Sequence, residues 1–259
     1  MNTRTLLLKL SKRFPKRIAK YNHDRVGLMT GKLPREINKI FLCLDCDKEV
    51  LPLIKEFKPD LVLTHHPLIY GTRHFILTHD EEKRLLVEEL DRLGIPVYSM
   101  HTNFDTGRGG MNDALLEALG LLDIKASEKD PMMRGGRLSQ PMDVEEFAKF
   151  ATKTFNVDYS LLINKGKKMV ETVAIIGGGG SRRWSLAQKE GYDIFISGDA
   201  PHYVRRDINI YGYNYLDMPH EIEKIFMPQM KKILLEMDSS LIIEMADHEK
   251  LPLVILKDN

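Results

Sequence analysis

Short runs of apolar residues alternate along the chain with segments whose apolar residues recur every three or four positions. The short runs predict buried strands, and the periodic segments predict amphipathic helices. In the first half, strands are predicted at residues 40–44, 61–63 and 95–100. Helices are predicted near the N-terminus and after each strand, at residues 50–57, 86–93 and 112–119.

The second half repeats this alternation. Strands are predicted at residues 173–176, 192–197 and 214–216, and further apolar runs occupy residues 241–245 and 251–256. Helices are predicted at residues 144–151, after Ser181, after Asp199 and from about His220. Strands that alternate with helices indicate an α/β fold with mainly parallel sheets, covered on both faces.

The polar, aperiodic segment 125–134 (KASEKDPMMR) is the best candidate for a linker. We therefore predict a first α/β lobe at residues 1–127 and a second at residues 128–259. Each half contains about three strand–helix units, but no convincing residue identity relates the halves. An internal duplication is therefore a structural hypothesis only.

Composition excludes several classes of protein. The formal net charge is +1, which is not the basic excess of a dedicated nucleic-acid binder. Two cysteines argue against a disulfide framework and favour a reducing compartment. No stretch of ~18 apolar residues exists, so no membrane span is expected. We expect a soluble, cytoplasmic protein.

Residues able to bind metals follow the predicted strands. Ligands of open α/β sheets bind beyond the carboxyl ends of the strands, so these positions are expected to converge. The candidates are His65, His66, His101, Asp105, Asp199, His202, His220 and Glu223. Imidazole and carboxylate groups together are typical ligands of zinc, iron or manganese.

Each motif alone has an ordinary structural alternative. A histidine pair such as His65 and His66 often has one ring buried and one solvated. Asp105 suits a turn, and His220 with Glu223 suits the first turn of a helix. Asp199 suits a helix N-cap as well as an acid, a base or an orienting group for a histidine. The metal-site hypothesis depends on their common position at strand ends.

Two further motifs carry no clear chemistry. Residues 177–180 (GGGG) lie between a strand and a helix but lack the spacing of a P-loop or a dinucleotide fingerprint. Close approach of the backbone to a neighbour is the favoured explanation, with substrate contact as the alternative. Cys43 and Cys46 are not at a helix N-terminus, so we expect core residues rather than reactive thiols.

Several motifs in combination resemble the Nif-three-like family, commonly labelled GTP cyclohydrolase 1 type 2 homologue. They are DRVGLMTG, DLVLTHHPLIYG, YSMHTNFDTGRGGMNDALLEALGL, AIIGGGGS, DIFISGD and MPHEIEK, from about Asp24 to Glu223. The resemblance implies two intertwined α/β lobes, a two-metal site in the cleft between them, and a ring-shaped homohexamer.

The resemblance also implies roles for individual residues. It places ligands at His65, His66, Asp105, His220 and Glu223, with His101 as a further ligand or a group that orients one. This chain departs from the family in having Pro219 where glycine is usual. It also has the order His202-Tyr203 where the family often has tyrosine first, which leaves His202 only a supporting candidate.

Two divalent ions per chain would suit a hydrolase that activates water towards a C–N bond or a phosphoester. The expected partner is a small molecule, with a nucleotide as one candidate, and neither a membrane nor a nucleic acid. The alternatives are a metal-binding or metal-delivery protein without turnover, and an interaction scaffold whose metals are structural.

Overall fold

The computed structural model describes residues 1–21, 24–250 and 252–255. The α-helices are α1 Thr3–Arg13, α2 Lys16–Tyr21, α3 Leu51–Phe57, α4 Arg73–His79, α5 Glu81–Leu93, α6 Thr102–Thr106, α7 Met111–Ala118, α8 Val144–Thr154, α9 Trp184–Lys189, α10 His202–Ile210 and α11 Phe226–Met237. The strands are β1 Gly27–Thr30, β2 Lys39–Cys43, β3 Leu61–Thr64, β4 Val97–Ser99, β5 Leu122–Ala126, β6 Arg134–Asp143, β7 Leu161–Asn164, β8 Met169–Ile175, β9 Ile194–Gly198, β10 Asn214–Met218 and β11 Ile242–Ala246. Short 3₁₀ helices occupy Ser181–Arg183 and His220–Ile225.

The α/β class is confirmed, with mixed sheets of mainly parallel strands at their centres. The predicted strands form at β2, β3, β4, β8, β9, β10 and β11, with shifted ends. Of the predicted run at residues 251–256, positions 251 and 256 lie outside the described residues, and 252–255 have no regular structure. No helix in the described part of the chain has the length and apolar character needed to cross a membrane.

Two compact units divide the chain. The first comprises Met1–Gly110 and Phe226–Glu249, and the second comprises Met111–Ile225 and Lys250–Asn259. These limits differ from the predicted boundary at residues 127 and 128. The segment 125–134 is wrong as a linker, because it begins inside β5, ends at the start of β6 and thus joins two antiparallel strands of one sheet. Most of this polar segment is the turn between the two strands, and its first two residues end β5, which has no buried residue.

The sheet of the first unit has the strand order β1-β4-β3-β2-β11. All neighbours are parallel except the pair β1 and β4. Residues of β3 are buried along its whole length, which explains why its sequence is a continuous apolar run. Phe41 of β2 and Val62 of β3 share one apolar cluster with Ile54 of α3 and Leu90 of α5. Each such side chain contributes about 1.5–3 kcal/mol when fully buried.

The sheet of the second unit has the order β5-β6-β8-β9-β10-β7. The central strands β8, β9 and β10 are parallel, whereas β5, β6 and β7 pair antiparallel. Phe195 of β9 and Tyr215 of β10 are fully buried, and they share one cluster with Trp184 of α9 and Ile208 of α10. The unit therefore has a parallel centre with antiparallel edges.

An aspartate at the start of a central strand stabilises each sheet in the same way. In the first unit, Oδ2 of Asp60 accepts the backbone N–H of Asn38 and Lys39 at 2.8 and 2.9 Å. In the second, Oδ2 of Asp193 accepts the N–H of Glu171 and Thr172 at 2.9 and 3.0 Å. Each aspartate also donates its own N–H to the neighbouring strand, to Lys39 or Thr172. This shared geometry supports the hypothesis of an internal duplication.

Replacing the second of these carboxylates tests its contribution. Burial raises the pKa of Asp193, but the hydrogen bonds from Lys167, Thr172 and Glu171 outweigh it and hold the pKa below its usual value. A lowered pKa adds stability above the unfolded value of 3.8, and that stability is lost as the pH falls through the folded value. We expect Asp193→Asn to lower the free energy of unfolding at pH 7 by about 1–3 kcal/mol.

The measurement is urea unfolding at a series of pH values, with Asp207→Asn as the matched control. Asp207 is an exposed residue of α10, so its loss should change the free energy by no more than about 0.5 kcal/mol. The difference in free energy of unfolding between Asp193→Asn and the parent protein should become smaller as the pH falls towards 3.8 and below. A difference that widens instead would contradict this role of the carboxylate.

Candidate metal centre

Three histidines of the first unit meet beyond the ends of two neighbouring parallel strands. Thr64 pairs with Ser99 at the last position of β3 and β4, so the two strands end at the same level. His65 and His66 directly follow β3, and His101 is the second residue after β4. The ring centroids are 5.0 Å apart for His65 and His66, 5.0 Å for His65 and His101, and 5.5 Å for His66 and His101. One ligand atom from each lies within 4.8 Å of the others.

Each of these three rings holds its Nδ1 against an acceptor oxygen. The pairs are His65 with the carbonyl of Met100 at 3.0 Å, His66 with Oδ2 of Asp45 at 2.6 Å, and His101 with Oδ2 of Asp24 at 2.8 Å. Because these oxygens only accept, Nδ1 is the nitrogen that carries the proton. In the neutral ring, Nε2 then carries the lone pair that a metal requires.

Asp105 lies beside the buried ring of His65. Its Oδ1 is 3.5 Å from Nε2 of His65. Two donors that share one ion through bonds of ~2.0–2.2 Å at tetrahedral angles are about 3.4 Å apart, so this spacing suits a common ion. Asp105 is buried within α6, which the sequence did not predict, and is therefore not an exposed turn residue.

Aromatic packing and a close turn fix this part of the unit. The ring of Phe226 lies 5.3 Å from His65 and 5.2 Å from Phe104, centroid to centroid. The turn after α6 needs glycine at position 110, where a Cβ would collide with the carbonyl oxygen of Phe104. His65 and α6 thus have little freedom to move, and a rigid ligand frame results.

Asp24 accepts several hydrogen bonds from the loop that carries His101. Its Oδ2 accepts from His101, from the N–H of Thr102 at 3.2 Å and from the hydroxyl of Thr102 at 2.9 Å. Burial raises the pKa of Asp24. These hydrogen bonds and the charge of His101 lower the pKa by more than burial raises it, so the pKa stays below its usual value. The carboxylate therefore stays ionised and keeps the ring of His101 oriented.

The second unit carries a smaller group of the same kind. His220 contacts Glu223 through Nε2 and Oε2 at 3.0 Å, and Asp199 through Nδ1 and Oδ2 at 2.6 Å. The predicted helix here is a 3₁₀ helix rather than an α-helix. With three residues per turn, positions three apart lie directly above one another, which places Glu223 on the same face as His220. Glu223 is buried, whereas Glu221 is partly exposed.

The pair of carboxylates favours a proton on His220. The hydrogen bond with Glu223 is the largest influence on the pKa of His220 and raises it. Burial lowers this pKa, but Asp199 raises it too, and the result is a pKa of about 9. Asp199 is not the helix N-cap considered from the sequence, because Pro201 precedes α10 in that position. It has a left-handed backbone with φ of 53°, which aspartate tolerates better than most residues.

The glycine run 177–180 makes room for this group. Gly178 has a left-handed φ of 61°, and a Cβ there would collide with the carboxylate of Glu223. The peptide of Gly178 also accepts the N–H of Gly198 at 2.7 Å. Gly178 therefore allows the close approach of the backbone that the sequence favoured for this run.

The remaining candidate residues, His202, Cys43 and Cys46, have different surroundings. His202 is exposed at the first position of α10. Cys43 and Cys46 are buried core residues, as predicted, and burial raises the pKa of Cys46 to about 12.

Sequence reasoning missed Asp24 and Asp45. Asp45 follows β2, so the same strand-end rule would have found it.

Glu223 and Glu221 form a matched pair for testing the second group. We expect Glu223→Gln to lower bound metal at least about tenfold, because it removes a ligand oxygen facing His220. Glu221 is next to His220 in the sequence but is not expected to be a ligand, so Glu221→Gln should change bound metal by less than about twofold. Elemental analysis after dialysis measures both. Equal loss in the two variants, or loss in Glu221→Gln alone, would show that the 3₁₀ spacing does not select the ligand.

Comparisons with known proteins agree with these motifs. A protein of Clostridium perfringens named GTP cyclohydrolase 1 type 2 homolog is 33% identical over 207 residues, 78% of this chain and 79% of that protein. A Lactococcus lactis protein of the same name is 29% identical over 88% of this chain and 89% of its own. The crystal structure of a Bacillus cereus protein related to NIF3 has the same fold, with a TM-score of 0.86, 19% identity and 99% coverage of both chains. The sequence profile of Duf34/NIF3 (NGG1p interacting factor 3) matches residues 1–252, and the chain therefore belongs to that family.

Proposed function

We propose that this protein binds two divalent metal ions per chain and uses them to hydrolyse a small, nucleotide-like substrate. The ligands would be His65, His66, His101 and Asp105 in the first unit, and His220 and Glu223 in the second. The observation that carries the proposal is the orientation of the histidines. Each holds Nδ1 on a carbonyl or carboxylate oxygen and directs Nε2 away from that anchor.

The donor set fits divalent metals. Histidines that ligate metals nearly always donate their other ring N–H to a carboxylate or carbonyl, which fixes the tautomer and makes the ligand more basic. Asp24, Asp45 and Asp199 supply such carboxylates here. Purely structural zinc sites use four ligands, commonly including cysteine, whereas six nitrogen and oxygen donors without sulfur suit two ions with open positions. Zinc, iron and manganese all accept this set.

When bound, divalent ions would supply Lewis acidity that polarises an electrophilic carbon or phosphorus and lowers the pKa of water. The protein's own groups would hold and orient. Asp24 and Asp45 fix the rings of His101 and His66, and Asp199 fixes His220. Because Asp199 already holds the Nδ1 proton of His220, we assign it an orienting role rather than that of an acid or base.

A planar substrate is supported by an aromatic side chain beside the first group. The ring of Tyr70 lies edge-on to His101, with centroids 6.2 Å apart, and the residue is 46% exposed. An exposed ring next to the ligands provides a surface for a nucleobase. The relatives named GTP cyclohydrolase 1 type 2 homolog suggest a guanine nucleotide and hydrolysis of a C–N bond.

A turnover screen of metal-loaded, full-length protein tests the enzymatic part of this proposal. GTP, other nucleotides and simple phosphoesters are each offered with zinc, iron or manganese, and products are followed by chromatography. Asp105→Asn is the control because it keeps the shape of the buried side chain while removing its charge. We expect at least about 100-fold slower turnover in the variant, at the upper end of the ~10–100-fold losses seen for groups that only support ligands. Turnover no faster than in Asp105→Asn for every substrate would leave metal binding without catalysis.

We also propose that the protein assembles as a homohexamer. The support is the family resemblance, because a hydrophobic content of 43% does not by itself require an interface. Light scattering coupled to size exclusion should give about six times the chain mass of 29.8 kDa. A mass near that of one chain would refute the assembly, while leaving the metal ligands within each chain unaffected.

A further inference from the structure

A second group of metal-binding side chains lies in the first unit, apart from the histidine cluster. It consists of Asp47, His248 and Glu249, and one ligand atom from each lies within 4.8 Å of the others. The fold explains the meeting. β2 and β11 are parallel neighbours whose last residues, Cys43 and Ala246, pair in register. The loops that follow them therefore leave the sheet side by side, as the loops after β3 and β4 do.

The spacing of the donor atoms suits one shared ion. Nε2 of His248 is 2.9 Å from Oδ2 of Asp47 and 3.7 Å from Oε1 of Glu249. Donors that share a tetrahedral ion through bonds of ~2.0–2.2 Å are about 3.4 Å apart, and the two distances bracket that value. Small side-chain movements would bring all three atoms onto one ion.

Asp47 is fixed in place before any ion binds. Its Oδ1 accepts the backbone N–H of Glu49 at 2.8 Å and of Val50 at 3.1 Å, in the turn that precedes α3. The other oxygen is thereby directed at His248. A donor already held by the backbone loses little freedom on binding, which favours affinity.

The charges around this group are unbalanced. The imidazole of His248 faces two carboxylates, and Oε1 of Glu249 is buried with no hydrogen-bond partner in the described part of the chain. Asp45 and Asp47 add further negative charge near Glu249, and His248 only partly offsets it. A cation placed among these groups would compensate the negative charge and give the buried Oε1 of Glu249 a partner.

From this geometry we propose that Asp47, His248 and Glu249 bind one divalent transition-metal ion, separate from the ions of the histidine cluster. One imidazole and two carboxylates are ligands suited to Zn²⁺ or Mn²⁺. The ion would cross-link the loops that follow β2 and β11. The loop after β2 also carries Asp45, whose Oδ2 lies 2.6 Å from Nδ1 of His66 and orients that ring. The bound ion would therefore also make the support of His66 more rigid.

The test separates this site from the histidine cluster by disabling the cluster. In full-length protein carrying His65→Ala and His101→Ala, titration with Zn²⁺, and separately with Mn²⁺, should still show binding that depends on His248. Adding His248→Ala should weaken that binding at least about 100-fold, as expected for loss of a ligand rather than of a supporting group. The matched control is His79→Ala, because His79 is an exposed histidine at the end of α4. It should leave Zn²⁺ and Mn²⁺ affinity unchanged.

A second variant guards against loss of folding. Asp47→Asn keeps an oxygen for the N–H groups of Glu49 and Val50 but removes the charge that faces His248. It should weaken Zn²⁺ and Mn²⁺ binding about tenfold or more while the circular dichroism spectrum and thermal midpoint of the metal-free protein stay close to those of the parent. Equal affinity in the parent, Asp47→Asn and His248→Ala would overturn the site and leave an ordinary ion pair. That result would not affect the proposed function, because His65→Ala and His101→Ala have already disabled the histidine cluster in the proteins compared.

Discussion

Parallel strand pairing in register is the constraint on which the ligand groups depend. In the first unit, β3 and β4 end level with each other, and in the second β9 and β10 do so, with Met218 opposite Gly198. Backbone hydrogen bonds set that register, and a slip of one residue would turn every side chain to the other face. The level ends bring His65 to Met100 in one unit and Asp199 to His220 in the other. Buried strands thus position polar groups that could not organise themselves in water.

Orientation of the rings requires a second level of structure. Strand ends bring histidines together, but only a fixed acceptor at Nδ1 decides which nitrogen faces the ion. The carboxylates of Asp24 and Asp45 provide this in the first unit, from segments 77 and 21 residues away from the rings that they hold. A site of this kind therefore forms only when the whole unit has folded, since no local stretch of chain contains both ligand and anchor.

These distances also explain what the sequence could and could not predict. The central strands and the residues after them follow from apolar runs and from the strand-end rule, so His65, His101 and His220 were found. Strand β5 was not predicted because it lies at a sheet edge and buries no side chain, so its sequence, LDIKA, has no continuous apolar run. Asp24 was not recognised as an anchor because nothing local distinguishes it from a loop residue. The 3₁₀ geometry at His220 was missed because it has no apolar period of its own.

Charge explains why protons and metal ions would compete for these groups. Carboxylates gathered around imidazoles repel one another unless a positive charge lies among them. In the second group, Glu223 and Asp199 raise the pKa of His220 to about 9, so a proton on the ring can supply that charge at neutral pH. A divalent ion would take the place of the proton on Nε2 and bring twice the charge, so binding would release a proton whenever the pH is below that pKa. The same carboxylates that orient the ring for a metal also hold the group together without one. The structure can therefore assemble the site before the ion arrives.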